Sequence, residues 1–538
     1  MNFAEINILP ENVLIQKKNE WIQIENNDSG VFKSEDLSVN IKKENNKLRI
    51  YLTSEKTPVC RVALRWKREM KENISLLGDA WERGYGDLEW RGIVPQRVMP
   101  WYFMLYDGMS THGYGVKTGP SAMCFWQVSK DDIMLYLDVR NGGVGVELAG
   151  RTLHMATVVT REGNKSESAF EATTAFCKIM CDAPRLPKFP VYGSNNWYYA
   201  YGNSSHEEVA KDAEIVVKLS PKGANKPFMV IDDGWQLSHN GGCTGGPWNI
   251  GNYKFPDMKG LAQEIIKAGA KPGIWIRPLC TIESYPYECL LDNSRFKGSA
   301  DHEFYIDPSH PYVINKIEEM VRGIKEWGYE LIKHDFSTFD IFGRWGFEME
   351  HQLTNNDWHF YDRSKTTAEI ILDMYRAIRK GAGEDVIIIG CNTVSHLSAG
   401  IFEIQRTGDD TSGLEWERTR KMGVNTLAFR MQQHNTFYAV DADCVGITDK
   451  VDWELNKQWL DILSSSGTPL FISADPKTLT EEKIQAMKEA FSKASKYMKL
   501  AEPVDWMNTT CPTTWKCENS IKRFKWSGGC TIADISFK

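Results

Sequence analysis

Leu331-Ile332-Lys333-His334-Asp335-Phe336 is an apolar run that ends in charge and then breaks, and Arg406-Thr407-Gly408-Asp409-Asp410 closes a second run in the same manner. Lys333 and Asp335 stand two apart, so on a strand their side chains share one face. An ammonium beside a carboxylate favours the ionised acid. The plainer reading is an ion pair that only fills an interior, and such pairs contribute little to stability. Trp275 and Arg277 repeat the spacing.

The stretches on either side set the fold class. Beyond Pro190, short apolar strands alternate with helix-period segments, the pattern of parallel β-α units. The sequence predicts strands over 191–197, 228–234, 273–278, 331–336, 386–392, 402–408, 436–440 and 469–473. Among the intervening segments, Ile314, Ile317, Met320, Val321, Ile324 and Trp327 make one apolar helical face. Eight strands predict a (β/α)8 TIM barrel, whereas the rival open doubly wound sheet needs no eighth.

In such a barrel the chemistry gathers at the C-terminal ends of the strands. Those ends carry Asn196-Trp197, Asp232-Asp233-Gly234-Trp235, Trp275 with Arg277, Lys333 with Asp335, and Cys391-Asn392. Arg406 with Asp409 and Asp410, Asp441 with Asp443, and Ser473 complete the ring. A lone strand-end Asp is most often the N-cap of the next helix. So many polar groups converging on one mouth point to a polar ligand. Two carboxylates at neighbouring strand ends can serve as nucleophile and proton donor.

Residues 21–183 run in short alternating segments such as 48–53, 59–66, 133–139 and 152–159, bounded by turn residues. Many such strands without helices predict an N-terminal β-sandwich. Pro184, Pro187 and Pro190 end it, because they cannot continue a sheet interior. A helix over 480–499 closes the barrel, and the remainder has room for a few strands, at 519–526 and 530–537. The expected division is therefore 1–187 for the sandwich, 188–499 for the barrel and 500–538 for a small antiparallel β domain.

The whole chain, at 538 residues, exceeds one ordinary core. Its net charge of −7 argues against nucleic acid or an anionic membrane as partner. Residues 1–15 lack a basic n-region and an unbroken apolar h-region, so a cytoplasmic protein is expected. The twelve cysteines then read as thiols, and an extended Cys177–Cys181 segment would hold those two too far apart to bridge. No C-x-x-C pair and no H-E-x-x-H helix marks a metal site, and no cofactor is expected.

Ile231-Asp232-Asp233-Gly234-Trp235, Lys333-His334-Asp335 and Gly408-Asp409-Asp410 together resemble the melibiase-type α-galactosidases, retaining glycoside hydrolases of families 27 and 36. The runs Phe255-Pro256-Asp257-Met258 and Gly273-Ile274-Trp275 extend the resemblance, which covers about 190 to 475 and is greatest to family 36. It implies Asp335 as nucleophile and Asp409 as acid/base. The small-residue-then-Asp step favours Asp409, while counting four residues from Arg406 favours Asp410. Asp232 and Asp233 would hold the 4- and 6-hydroxyls of galactose, Trp197 and Trp235 would wall the sugar, and Lys333 and Arg406 would bind hydroxyls or tune the acids. Trp275, Arg277, Cys391, Asn392 and Asp410 stand among the expected sugar contacts. Relatives often carry an acid where Arg277 stands, and a Gly-rich loop in place of Gly390-Cys391-Asn392-Thr393.

One N-terminal stretch, Gly78-Asp79-Ala80-Trp81-Glu82-Arg83-Gly84-Tyr85-Gly86-Asp87-Leu88-Glu89-Trp90, has aromatics and acids enough to reach over a sugar. The alternative is a bent loop whose aromatics bury at a domain interface. The expected function is hydrolysis of terminal α-galactosides. Transfer to another carbohydrate in the manner of raffinose synthases, an α-N-acetylgalactosaminidase or other α-glycosidase, and a non-catalytic carbohydrate-binding protein are the alternatives.

Overall fold

Five barrel strands come out shorter than their apolar runs, at Tyr192–Asn195, Phe228–Ile231, Leu331–His334, Ile387–Gly390 and Ile404–Arg406, while the third, Lys271–Ile276, keeps its expected length but starts two residues earlier. The seventh stave is in two pieces, Ala439–Asp441 and Cys444–Ile447, and the eighth is Leu470–Ala474. The computed structural model describes residues 5–26, 29–71, 73–223, 225–239, 244–297 and 304–527, and the backbone of 531–532 and 535–536. Each stave pairs in parallel with the next, and the eighth returns to the first through Tyr192 opposite Leu470. Asp443, at φ 72°, breaks the seventh. Its first piece bonds the sixth stave and its second bonds the eighth, which closes the ring. The sequence placed this strand at 436–440, ahead of its true position, because its apolar run starts within the preceding turn.

Helix Pro311–Glu326 illustrates how the outer layer is held. Pro311 takes the first helical position, where a missing N–H costs nothing, and His310 Nδ1 accepts the Tyr312 N–H at 3.2 Å. Val313, Ile317, Val321 and Ile324 are buried, while Ile314, Met320 and Trp327 flank them half-buried. The facing helix Thr367–Ala382 begins with a capping box, Glu369 N–H to Thr366 Oγ1 at 3.1 Å and Thr366 N–H to Glu369 Oε2 at 3.0 Å.

Before the barrel lies an antiparallel sheet of thirteen strands, which begins at Asn12–Lys17 and includes Leu153–Arg161. Trp126 on one wing meets Phe103 on the other with ring centroids 5.6 Å apart. The all-strand reading of this third needs one correction. Ala169–Met180 is a helix, opened by a capping box between Ser168 and Glu171. Its Phe176 lies where a side chain at Gly113 would fall, so glycine permits the contact. The Cys177–Cys181 spacing is likewise helical rather than extended, with the Cys181 N–H donating to Cys177 O at 3.3 Å. The ten described cysteines are free thiols, and Cys243 and Cys530 lie outside the described residues.

After the barrel, helix Glu481–Ala494 is capped by Thr480, and a three-stranded sheet follows over Glu502–Pro503, Thr514–Cys517 and Ser520–Arg523. The last predicted strand, 530–537, begins and ends outside the described residues, within which Thr531–Ile532 pairs with Ile535–Ser536. Among the described residues no helix is long and apolar enough to cross a membrane.

Truncating Ile317 to alanine is expected to cost about 2–5 kcal/mol in urea denaturation, and Ile314→Ala distinctly less. Equal losses at the two positions would contradict the packing described.

Candidate active site

The fourth strand delivers its side chains to opposite sides. His334 is fully buried against the rings of Tyr375 and Phe402, each 5.7 Å away, and burial lowers its pKa to about 3, leaving a neutral imidazole. Lys333 and Asp335 take the other side. Phe336, at φ 62°, turns the chain so sharply that its N–H donates back to Asp335 Oδ1 at 2.8 Å. The Asn392 N–H reaches the same oxygen at 3.1 Å, and Trp275 Nε1–H donates to Oδ2 at 3.1 Å. Burial pushes the Asp335 carboxyl up, but the charges of Arg83 and Lys333, with the Trp275 and Phe336 N–H groups, outweigh it and hold it at about 2.

Lys333 reaches across to the second strand, where its Nζ lies 2.7 Å from Asp232 Oδ2. The same oxygen accepts Asn195 Nδ2–H at 2.5 Å, and the Asp232 N–H donates to Asn196 Oδ1 at 2.8 Å. Asp233 Oδ1 accepts Gln236 Nε2–H at 2.7 Å and stands 3.1 Å from His239 Nδ1, a contact that raises the histidine's pKa. Gly234, at φ 115°, passes so near Gly202 O that a Cβ would lie 2.5 Å from it. Trp235, expected as a wall of the site, is instead fully buried. Its Nε1–H donates to Trp275 O at 2.9 Å and its ring packs on Trp327, so it braces the third strand from behind. Trp197, by contrast, is only partly buried, with its ring 5.5 Å from Tyr201.

At the sixth strand, the buried Arg406 pairs with Asp443 Oδ2 at 2.9 Å and Asp410 Oδ1 at 3.2 Å, and its Nη1 donates to Cys391 Sγ at 3.3 Å. Asp409 has both oxygens bound, Oδ1 by Arg83 at 2.7 Å and Oδ2 by Arg418 at 2.8 Å. Asp410 is the more open of the two, 36% exposed against 17%. Surrounding protein raises the Asp410 pKa, Arg406 and Arg83 oppose the rise, and Asp443 and Asp409 add to it; the net shift is upward. Asp335 and Asp410 thus sit in opposite electrostatic settings. The first is shifted down and the second up.

Of the expected contacts, Arg277 sits in a network of its own. Arg277 is committed to a buried pair with Asp340 at 2.7 Å, donates to Thr244 Oγ1 at 2.7 Å, and lies 4.4 Å from the Phe336 ring centre. Cys391 is buried as a thiol whose pKa rises with burial despite its cationic neighbours. Asn392 ties the site to the N-terminal loop, because its side-chain amide donates to Glu82.

That loop both buries an aromatic and reaches the mouth. Trp81 packs edge-on against Trp101, while Gly84 N–H donates to Thr407 O at 2.7 Å and Asp409 N–H to Gly84 O at 2.9 Å. Glu82, Arg83 and Tyr85 were missed as site residues by sequence reasoning, and only the density of charge and aromatics in the loop hinted at them. Asp443 was visible as a strand end, but its pairing with Arg406 was not.

No family model matches the sequence. Solved structures do. An α-galactosidase from Thermus thermophilus in complex with p-nitrophenyl α-D-galactopyranoside superposes with a TM-score of 0.59 at 14% identity, over 95% of this chain and 99% of that one. A family 36 α-galactosidase from Geobacillus stearothermophilus in complex with 1-deoxygalactonojirimycin gives 0.56 at 14%, over 88% and 68%. The α-galactosidase from Lactobacillus brevis gives 0.54 at 14%, over 90% and 68%. The chain therefore has the fold of α-galactosidases, those of glycoside hydrolase family 36 among them.

Proposed function

We propose that the protein is an exo-acting retaining α-galactosidase. The observation that carries this reading is the opposed setting of Asp335 and Asp410 at the ends of the fourth and sixth strands. Asp335 attacks the anomeric carbon as the bond to the leaving oxygen breaks, and Asp410 transfers its proton to that oxygen. Asp410 then takes a proton from water, the water oxygen attacks the same carbon, and the Asp335 carboxylate departs. Two inversions restore the α configuration. Asp409, favoured by the sequence step, is the weaker candidate for the proton, because both its oxygens are already engaged by guanidinium groups and it is the less exposed of the two.

Asp232 and Asp233 hold the 4- and 6-hydroxyls of the terminal galactose, Lys333 and Arg406 add donors, and Trp197 offers a ring face. The superposed Thermus and Geobacillus enzymes, whose complexes hold stachyose and raffinose, support an α-galactoside as the substrate class.

Wild type is expected to hydrolyse p-nitrophenyl α-galactoside, and Asp335→Ala to lose that activity but form β-galactosyl azide when azide is added. An α-configured azide from this variant would remove Asp335 from its role. The two aspartates separate by leaving group. Asp410→Asn should slow raffinose hydrolysis about 10²–10⁴-fold while sparing the activated nitrophenyl substrate, and Asp409→Asn should affect both substrates alike. The reverse pattern would return the proton to Asp409.

A further inference from the structure

Arg83 comes from the N-terminal sheet, yet its side chain is 5% exposed and ends among the groups on the barrel strands. Its Nη2 lies 2.7 Å from Asp409 Oδ1, its Nη1 3.9 Å from Asp410 Oδ1 and 3.8 Å from Cys391 Sγ. The guanidinium stands 5.3 Å from the Trp345 ring centre and 5.8 Å from that of Tyr85, so it is boxed on its faces as well as at its nitrogens. Its backbone is equally fixed. The neighbouring Gly84 exchanges hydrogen bonds with Thr407 and Asp409, and the neighbouring Glu82 is buried, accepting from Gly346 N–H at 2.8 Å and from Tyr85 and Asn392. Nothing in a β-sheet requires an arginine held this way.

We infer that Arg83 is a positioning residue of the active site: a fixed cation, supplied by the N-terminal sheet, that occupies Asp409 and sets the charge between the nucleophile at the fourth strand and the acid at the sixth. This rests on the roles proposed for Asp335 and Asp410. The remaining groups facing them are known. Asp335 meets Lys333 on its own strand, the Trp275 indole from the third strand, and the Cys391 thiol and Asn392 N–H from the fifth. Asp410 meets Arg406 and Asp409 on its own segment, Asp443 from the seventh strand and the Tyr198 and Tyr201 phenols beyond the first. Arg83 lowers the pKa of both carboxyls, so removing it moves both upward. The acid limb of the pH–rate profile follows the ionised nucleophile and the basic limb the protonated acid. Both limbs should therefore shift to higher pH, whereas a merely structural residue would lower the rate at an unchanged profile.

The test compares wild type, Arg83→Gln and Arg83→Lys in the pH dependence of kcat/KM on raffinose, whose departing oxygen needs the protonated acid. Arg83→Gln should carry both limbs up by about a unit or more, and Arg83→Lys by less. Should the glutamine variant fail to fold, the lysine variant alone must still move both limbs. A second measurement needs no turnover: the infrared carboxyl signal that disappears in Asp335→Asn is titrated in wild type and in the Arg83 variants. Its midpoint should rise on loss of the guanidinium. Limbs and midpoint that stay at their wild-type positions would overturn the role of Arg83. A wild type inert on every α-glycoside, but with a shifted midpoint, would overturn the glycosidase reading and leave Arg83's electrostatic role standing.

Discussion

The bond between Lys333 and Asp232, 2.7 Å long and buried, is the constraint on which the mouth of the barrel depends. A lone carboxylate there would be driven to protonate, and a lone ammonium to lose its proton, because neither keeps its hydration. Asp232 holds the Lys333 ammonium well above its usual pKa despite burial, and the pair ties the second strand to the fourth. Arg406 does the same for the sixth and seventh strands through Asp443. With these bonds in place, most of the acids are neutralised by a partner. Asp335 then sits within a lattice of N–H donors, while burial raises the pKa of Asp410 and that of Asp441, the latter to about 6.

The barrel was legible in the sequence because its strands are buried on both sides, so each is a continuous apolar run flanked by an amphipathic helix. The predicted lengths were too long for an instructive reason. Asp232, Asp335 and Asp409 lie on the loops just past their strands, where the backbone leaves the ladder and can aim a side chain. The helix Ala169–Met180 was missed although its Ser168–Glu171 capping box stood in plain view. Its surroundings, strand after strand, outweighed a local signal that was correct.

Site residues divide along the same line. Lys333 with Asp335, and Asp232 with Asp233, are near neighbours in sequence at the ends of apolar runs, so the strand-end reading finds them. Trp235 was misread because a motif names a residue type but not the side to which the ring turns; only the packing of Trp327 against it settles that. The choice between Asp409 and Asp410 turned on Arg83 and Arg418, and Arg83 approaches from another part of the chain. Periodicity carries no information on such a contact.

The sheet and the barrel are also joined by buried ion pairs. Asp79 on the sheet side lies 2.9 Å from Arg430 on the barrel side and also accepts from Gln433 at 2.9 Å, and all three side chains are buried. Arg83 with Asp409 makes a second crossing pair. Separating the two parts would break both pairs, and Asp409 alone of the four would keep a partner, Arg418. The first crossing pair fixes the loop between them, and the second exploits that fixity. An arginine on a free loop would trade partners among Asp409, Asp410 and solvent. One anchored by Asp79 upstream and by Gly84 against Thr407 downstream cannot, so the burial that joins the parts also supplies the positional precision the mouth requires.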